Sequence, residues 1–72
     1  MIVTCTINNA GYHHWRKDGI RHRADGPAIH NDEKFERWYY EGVFHNENGP
    51  AAIDVDGYKE WYLHGRFLRN TR

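Results

Sequence analysis

Six histidines, His13, His14, His22, His30, His45 and His64, are the side chains of this sequence best suited to chemistry, because imidazole titrates near neutral pH and binds zinc or nickel. Two to four of them converging on one point would hold a metal. The spacing argues against it. His22 and His45 lie 23 residues apart at one position of a recurring pattern, and the next copy carries Leu68 there. A position that accepts leucine is read as one of packing, with the imidazoles hydrogen-bonded beside neighbouring tryptophans. His13 and His14 are adjacent on a presumed strand and face opposite ways. Histidine-based metal binding is thus a secondary alternative, and no metal or other cofactor is expected.

Nucleophilic and acid-base chemistry find little material. The chain has no serine, and its single cysteine, Cys5, lies in an apolar terminal strand where a buried, inert thiol is expected. Glu33 with Glu36, and Asp54 with Asp56, read as solvated turn and edge groups. Asp54-Val55-Asp56-Gly57 opens like a calcium loop but lacks the third acidic ligand and the closing glutamate, so a turn is expected. No glycine-rich phosphate loop precedes a helix. The chain does not read as an enzyme.

Basic residues interleave with rings at His13-His14-Trp15-Arg16-Lys17 and Arg21-His22-Arg23, where bases could stack and phosphates be neutralised. Arg16, Lys17, Arg21 and Arg23, with Arg69 and Arg72 from the C-terminal stretch, form the nucleic-acid alternative. Against it, the formal net charge is zero and residues 25–60 sum to −6, which would repel a long duplex.

The elements that must position these groups are small. Seventy-two residues make at most one domain, and with 39% apolar and 15% aromatic residues its core must be built from rings. No stretch approaches the roughly 18 to 20 apolar residues of a membrane helix. The N-terminus lacks the basic flank and length of a secretory signal. A cytoplasmic protein is expected, with no membrane partner.

A constant offset of 23 residues organises the chain. Trp15, Trp38 and Trp61 recur at it, as do Gly19, Gly42 and Gly65, and Tyr12, Phe35 and Tyr58. Asp25-Gly26-Pro27-Ala28 matches Asn48-Gly49-Pro50-Ala51. The pattern, aromatic-x-x-Trp-x-x-x-Gly-x-x-His-x-x-(Asp/Asn)-Gly-Pro-Ala, resembles the MORN repeat, and in particular its divergent His-Arg-x-Asp-Gly-Pro-Ala variety found in phage, large-virus and bacterial proteins. His22-Arg23-Ala24-Asp25-Gly26-Pro27-Ala28 carries that signature position by position; His45-Asn46-Glu47-Asn48-Gly49-Pro50-Ala51 carries it with Asn for Arg and for Asp. The likeness spans about residues 11–70. It implies an all-β fold, an antiparallel β-meander of three hairpin repeats at about 11–33, 34–56 and 57–72, the last truncated, in a single domain over 1–72. It also suggests a phage accessory factor, active in the host cytoplasm, that binds and inhibits a host enzyme or defence complex.

Turn chemistry agrees. Asp18-Gly19 and Asp56-Gly57 are strong signals for two-residue type I′ hairpins, and Glu41-Gly42 and His64-Gly65 occupy the former's equivalent positions. Around Glu41-Gly42 this sets Tyr39 opposite Phe44 and Trp38 opposite His45. Around Asp56-Gly57 it sets Asp54 opposite Lys59 and Ala52 opposite Trp61. The Gly-Pro segments are expected to loop out, and residues 1–7 to form a strand on the first unit. Alternation then gives two ring columns, Trp15, Trp38 and Trp61 beside His22, His45 and Leu68, and behind them Arg16, Tyr39 and Tyr62 beside Arg21, Phe44 and Phe67. One column should be core and the other exposed, unless the sheet curls to bury both. The second makes Tyr39, Phe44, Tyr62 and Phe67, flanked by Glu36, Glu41 and Glu60, the expected contacts of a protein-binding module. The open edges of a meander also suit pairing of two copies into a homodimer.

Overall fold

The computed structural model describes residues 3–71. They form ten antiparallel strands and no helix: β1 (Val3–Ile7), β2 (His13–Lys17), β3 (Ile20–Arg21), β4 (Ile29–His30), β5 (Glu36–Arg37), β6 (Tyr39–Tyr40), β7 (Val43–Phe44), β8 (Ala52–Ile53), β9 (Lys59–Leu63) and β10 (Arg66–Thr71). The main sheet runs β1-β2-β4-β5-β8-β9-β10, with β3 on β2, while β6 and β7 pair with each other. That small hairpin is tied in on both sides. Gly42 and Arg23 donate to Arg21 and Tyr39 in register with β3, and Asn46 and Gly65 share main-chain bonds with Tyr62 and Phe44 beside β9 and β10. No helix among the described residues is long and apolar enough to cross a membrane.

Two turn types alternate along the chain. Asp18-Gly19, Glu41-Gly42 and His64-Gly65 have positive φ at both residues, 52° and 80°, 50° and 86°, 48° and 83°, as a two-residue type I′ hairpin requires. Three further turns are one residue longer, and the Gly-Pro segments 22–28 and 45–51 are longer still. Asn8, Asn31 and Asp54 each take the carbonyl of the residue four further on, Tyr12, Phe35 and Tyr58, and Gly11, Lys34 and Gly57 supply one left-handed residue each.

This corrects the expected hairpin at Asp56-Gly57. Ala52 faces Glu60 and Ile53 faces Lys59, so the register is shifted by one residue from Ala52 opposite Trp61. Asp56 does not take positive φ; its carboxylate accepts the N–H of Tyr58 at 3.1 Å inside a three-residue loop. A one-residue slip exchanges the faces of a whole strand. Asp54 therefore pairs with Arg37, and the expected Asp54/Lys59 match is not made.

The molecule measures 32 × 26 × 15 Å, the thickness of one sheet with its side chains. A single layer cannot enclose a large ring. Accordingly, among the described residues, the buried apolar ones are Ala28, Ile29, Ala51 and Ala52, joined by His22, and no large side chain is fully enclosed. Trp15 and Trp38 donate their main-chain N–H groups to Ala28 and Ala51, which ties each tryptophan's backbone to a buried alanine just ahead of β4 and β8. Neither ring column is the core; apart from buried His22 their rings are partly exposed, which corrects the expectation that one column would be core. Leu68 also departs from its expected place. It forms a β-bulge between Phe67 and Arg69, is 50% exposed, and does not fill the site that His22 and His45 occupy in their units.

Candidate functional site

Strand alternation puts Tyr39, Phe44, Tyr62 and Phe67 on one face, and the two-residue turns set Tyr39 opposite Phe44 and Phe67 opposite Tyr62. The rings form one unbroken row. Tyr39 stacks on Phe44 with centroids 4.6 Å apart, Phe44 on Tyr62 at 4.8 Å, and Tyr62 meets Phe67 edge-on at 5.5 Å. Arg21 caps the Tyr39 end, its guanidinium carbon 5.6 Å from the ring centre. Phe67, at the opposite end, is 48% exposed. The strands that carry the row come from separate parts of the chain, so it exists only in the folded sheet.

Charge around the row is uneven. Glu60 accepts the hydroxyls of Tyr58 at 2.9 Å and Tyr62 at 3.4 Å, and partial burial with the Glu60 charge raises the Tyr62 phenol above its ordinary value. Glu41 sits at the turn beyond the row and forms a salt bridge with Lys17 at 3.1 Å. Glu36 does not flank the row. Its carboxylate accepts the indole N–H of Trp38 at 2.8 Å, on the opposite face, because Glu36 and Trp38 are two residues apart in an extended segment.

No family model matches the chain, and no curated protein or solved structure does. What the surface can do therefore rests on its own geometry.

Tyr12 and Phe35, which recur at the 23-residue offset, form a further ring pair on the same face. Tyr12 and Phe35 meet edge-on at 5.3 Å, Arg37 lies 4.2 Å over Phe35, and both Phe35 and Arg37 share strand parity with Tyr39. Counting by twos back from Tyr39 would have placed them there. The opposite face carries a second ring series: His22 on Tyr40 at 4.4 Å, Tyr40 near His45 at 5.9 Å, and His45 on His64 at 4.1 Å.

The basic residues of the nucleic-acid alternative are not brought together. Arg16 and Arg21 are cross-strand partners on the face of the row, whereas Lys17 and Arg23 lie on the other. Lys17 is taken by Glu41, Arg23 by Asp25 at 2.9 Å, and Arg69 stacks on Trp61 in the third unit. Arg72 lies outside the described residues.

His13 and His30 stack at 4.6 Å, which places their rings face to face. His30 Nε2 accepts the indole N–H of Trp15 at 3.3 Å. Burial lowers the His30 pKa from its ordinary value, helped by the neighbouring His13 and Arg23 charges; burial, then Arg16 and Arg21, do the same to His14. Among the described residues no three histidine, cysteine or carboxylate side chains form a group that could hold a metal ion.

Proposed function

We propose that the chain is a non-enzymatic protein-binding module of the MORN-like type, and that a partner protein docks on the Tyr39–Phe44–Tyr62–Phe67 row. The observation that carries this reading is the row itself: four rings in continuous contact, drawn from the four strands β6, β7, β9 and β10 and ending in a half-exposed phenylalanine. Stacked tyrosine and phenylalanine rings present a wide, rigid, amphipathic area at low entropic cost, which is what the centre of a protein interface uses. A one-layer sheet has no second layer to cover them.

Such a module acts by occupancy, as an adaptor or as an inhibitor covering a site on a larger protein. A phage accessory factor aimed at a host enzyme or defence complex is one setting that suits it. The outer strands β1 and β10 each pair on one side only among the described residues, and both are exposed, so strand addition by a partner or by a second copy would extend the same sheet.

Affinity capture from native cell lysate tests the proposal, comparing the wild type with Tyr39→Ala/Phe44→Ala and with Phe67→Glu. The double variant and the charge at the exposed end should each lose the partner while Phe67→Glu keeps the wild-type circular dichroism. Equal recovery by all three proteins would contradict docking on this face.

A further inference from the structure

We propose that Trp38 is a receptor for the guanidinium group of an arginine side chain carried by a polypeptide. The site lies on the face opposite the aromatic row and does not depend on it.

The chain supplies its own template for this contact. Arg23 holds its guanidinium carbon 4.1 Å from the ring centre of Trp15, and Arg69 holds its own 3.9 Å from that of Trp61. Both arginines follow their tryptophan by eight residues. Eight residues after Trp38 stands Asn46. It retains one part of the arginine's work: Arg23 Nη1 donates to the Pro27 carbonyl at 3.3 Å, and Asn46 Nδ2 donates to the Pro50 carbonyl at 2.9 Å. The Asn46 oxygen accepts the Asn48 N–H at 3.0 Å, so the whole amide is used inside its own loop. No cation lies over Trp38 among the described residues.

Arg23 packs against Gly26 and Pro27, and the cleft at the matching place beside Trp38, ≈ 370 Å³, is lined by Glu36, Asn46, Gly49 and Pro50; an adjoining one of ≈ 140 Å³ past Tyr40 and His45 adds Glu47. The electrostatics favour a cation. Glu36 accepts the Trp38 indole N–H at 2.8 Å, which pushes electron density into the ring. Glu47 is exposed and forms no salt bridge among the described residues. The Arg23 charge is met by Asp25 at 2.9 Å. A planar guanidinium stacks on an indole where a hydrated ammonium would not lie flat, so arginine is the matching side chain.

The three indole N–H signals in a ¹H–¹⁵N spectrum read the site directly. The probe is Nα-acetyl-arginine N-methylamide, and its neutral isostere is the citrulline analogue. The Trp38 signal should shift saturably with the arginine probe and at least about fivefold more weakly with citrulline, since the cation supplies the attraction. Trp15 and Trp61, already covered, should move much less. Asn46→Arg should fill the cleft from within, preserve the remaining spectrum and abolish the Trp38 response. Absence of a Trp38 shift, equal responses to both probes, equal movement of all three indoles, or an unaltered response in Asn46→Arg would each overturn the proposal.

Discussion

His22 accepts the main-chain N–H of Glu41 on Nδ1 at 2.9 Å, and His45 accepts that of His64 at the same distance. Each ring thereby holds the first residue of the following type I′ turn, a non-glycine residue in left-handed conformation, 50° at Glu41 and 48° at His64. Leu68 has no such partner, and it bulges from the edge strand instead.

Replacing His22 should therefore unlatch the second turn. His22→Leu keeps the volume but leaves the Glu41 N–H without its acceptor, which costs about 1–3 kcal/mol. Urea denaturation should show a lower midpoint with an unchanged slope. A midpoint equal to wild type would mean that the ring only fills space.

Acid should destabilise the fold. The pKa values of His14 and His30 are lowered, chiefly by burial, so the unfolded chain takes up protons that the folded chain resists. Stability rises with pH wherever the unfolded state binds more protons. The contribution is complete above the ordinary histidine value of about 6.5 and is lost as pH falls from there through the folded values. Protonating His30 would also remove the acceptor of the Trp15 indole N–H. Thermal melts from pH 7.5 to pH 5 should show a falling midpoint; a flat or rising one would contradict the assignment.

Gly26 and Gly49 occupy matching places but should differ in tolerance. A Cβ on Gly26 would lie 2.8 Å from the Arg23 guanidinium carbon, whereas one on Gly49 would meet only the Asn46 amide, at an ordinary 3.6 Å. Gly26→Ala must displace Arg23 from Trp15 and from the Pro27 carbonyl, at a cost of about 1 kcal/mol. Gly49→Ala should be nearly neutral. In an Arg23→Asn background the Gly26→Ala cost should vanish, and a double-mutant cycle measured by chemical denaturation reads that coupling.

The all-β fold was legible because its signals are local. The Asp-Gly and equivalent pairs at 18–19, 41–42 and 64–65 dictate the turns, and those turns fix Tyr39 against Phe44. The hairpin at Asp56 was misread because Asp-Gly suits both a two-residue loop and the end of a three-residue one; what decides is the hydrogen bonding of Asp54 and Asp56 with Tyr58. The four-ring row followed from alternation within hairpins. Its continuity depends on how neighbouring hairpins stack, which the Asn46-to-Tyr62 and Gly65-to-Phe44 bonds settle and no short-range pattern encodes. Glu36 falls on the face of Trp38, two residues on in the same extended segment, and alternation from Trp38 is the signal that places it there. The core was not legible because ring-rich composition suggests buried rings, whereas a single layer buries Ala28, Ala51 and Ala52 with Ile29 and His22.

Photo-crosslinking from the two faces of the sheet tests the docking account most directly. p-Benzoylphenylalanine would be placed either at Phe67, 48% exposed at the end of the aromatic row, or at Leu63, 37% exposed on the opposite face. Irradiation in native lysate should give from position 67 a discrete adduct that position 63 does not give. Adducts from position 63 alone, or equal adducts from both, would contradict a partner seated on the Tyr39–Phe44–Tyr62–Phe67 row.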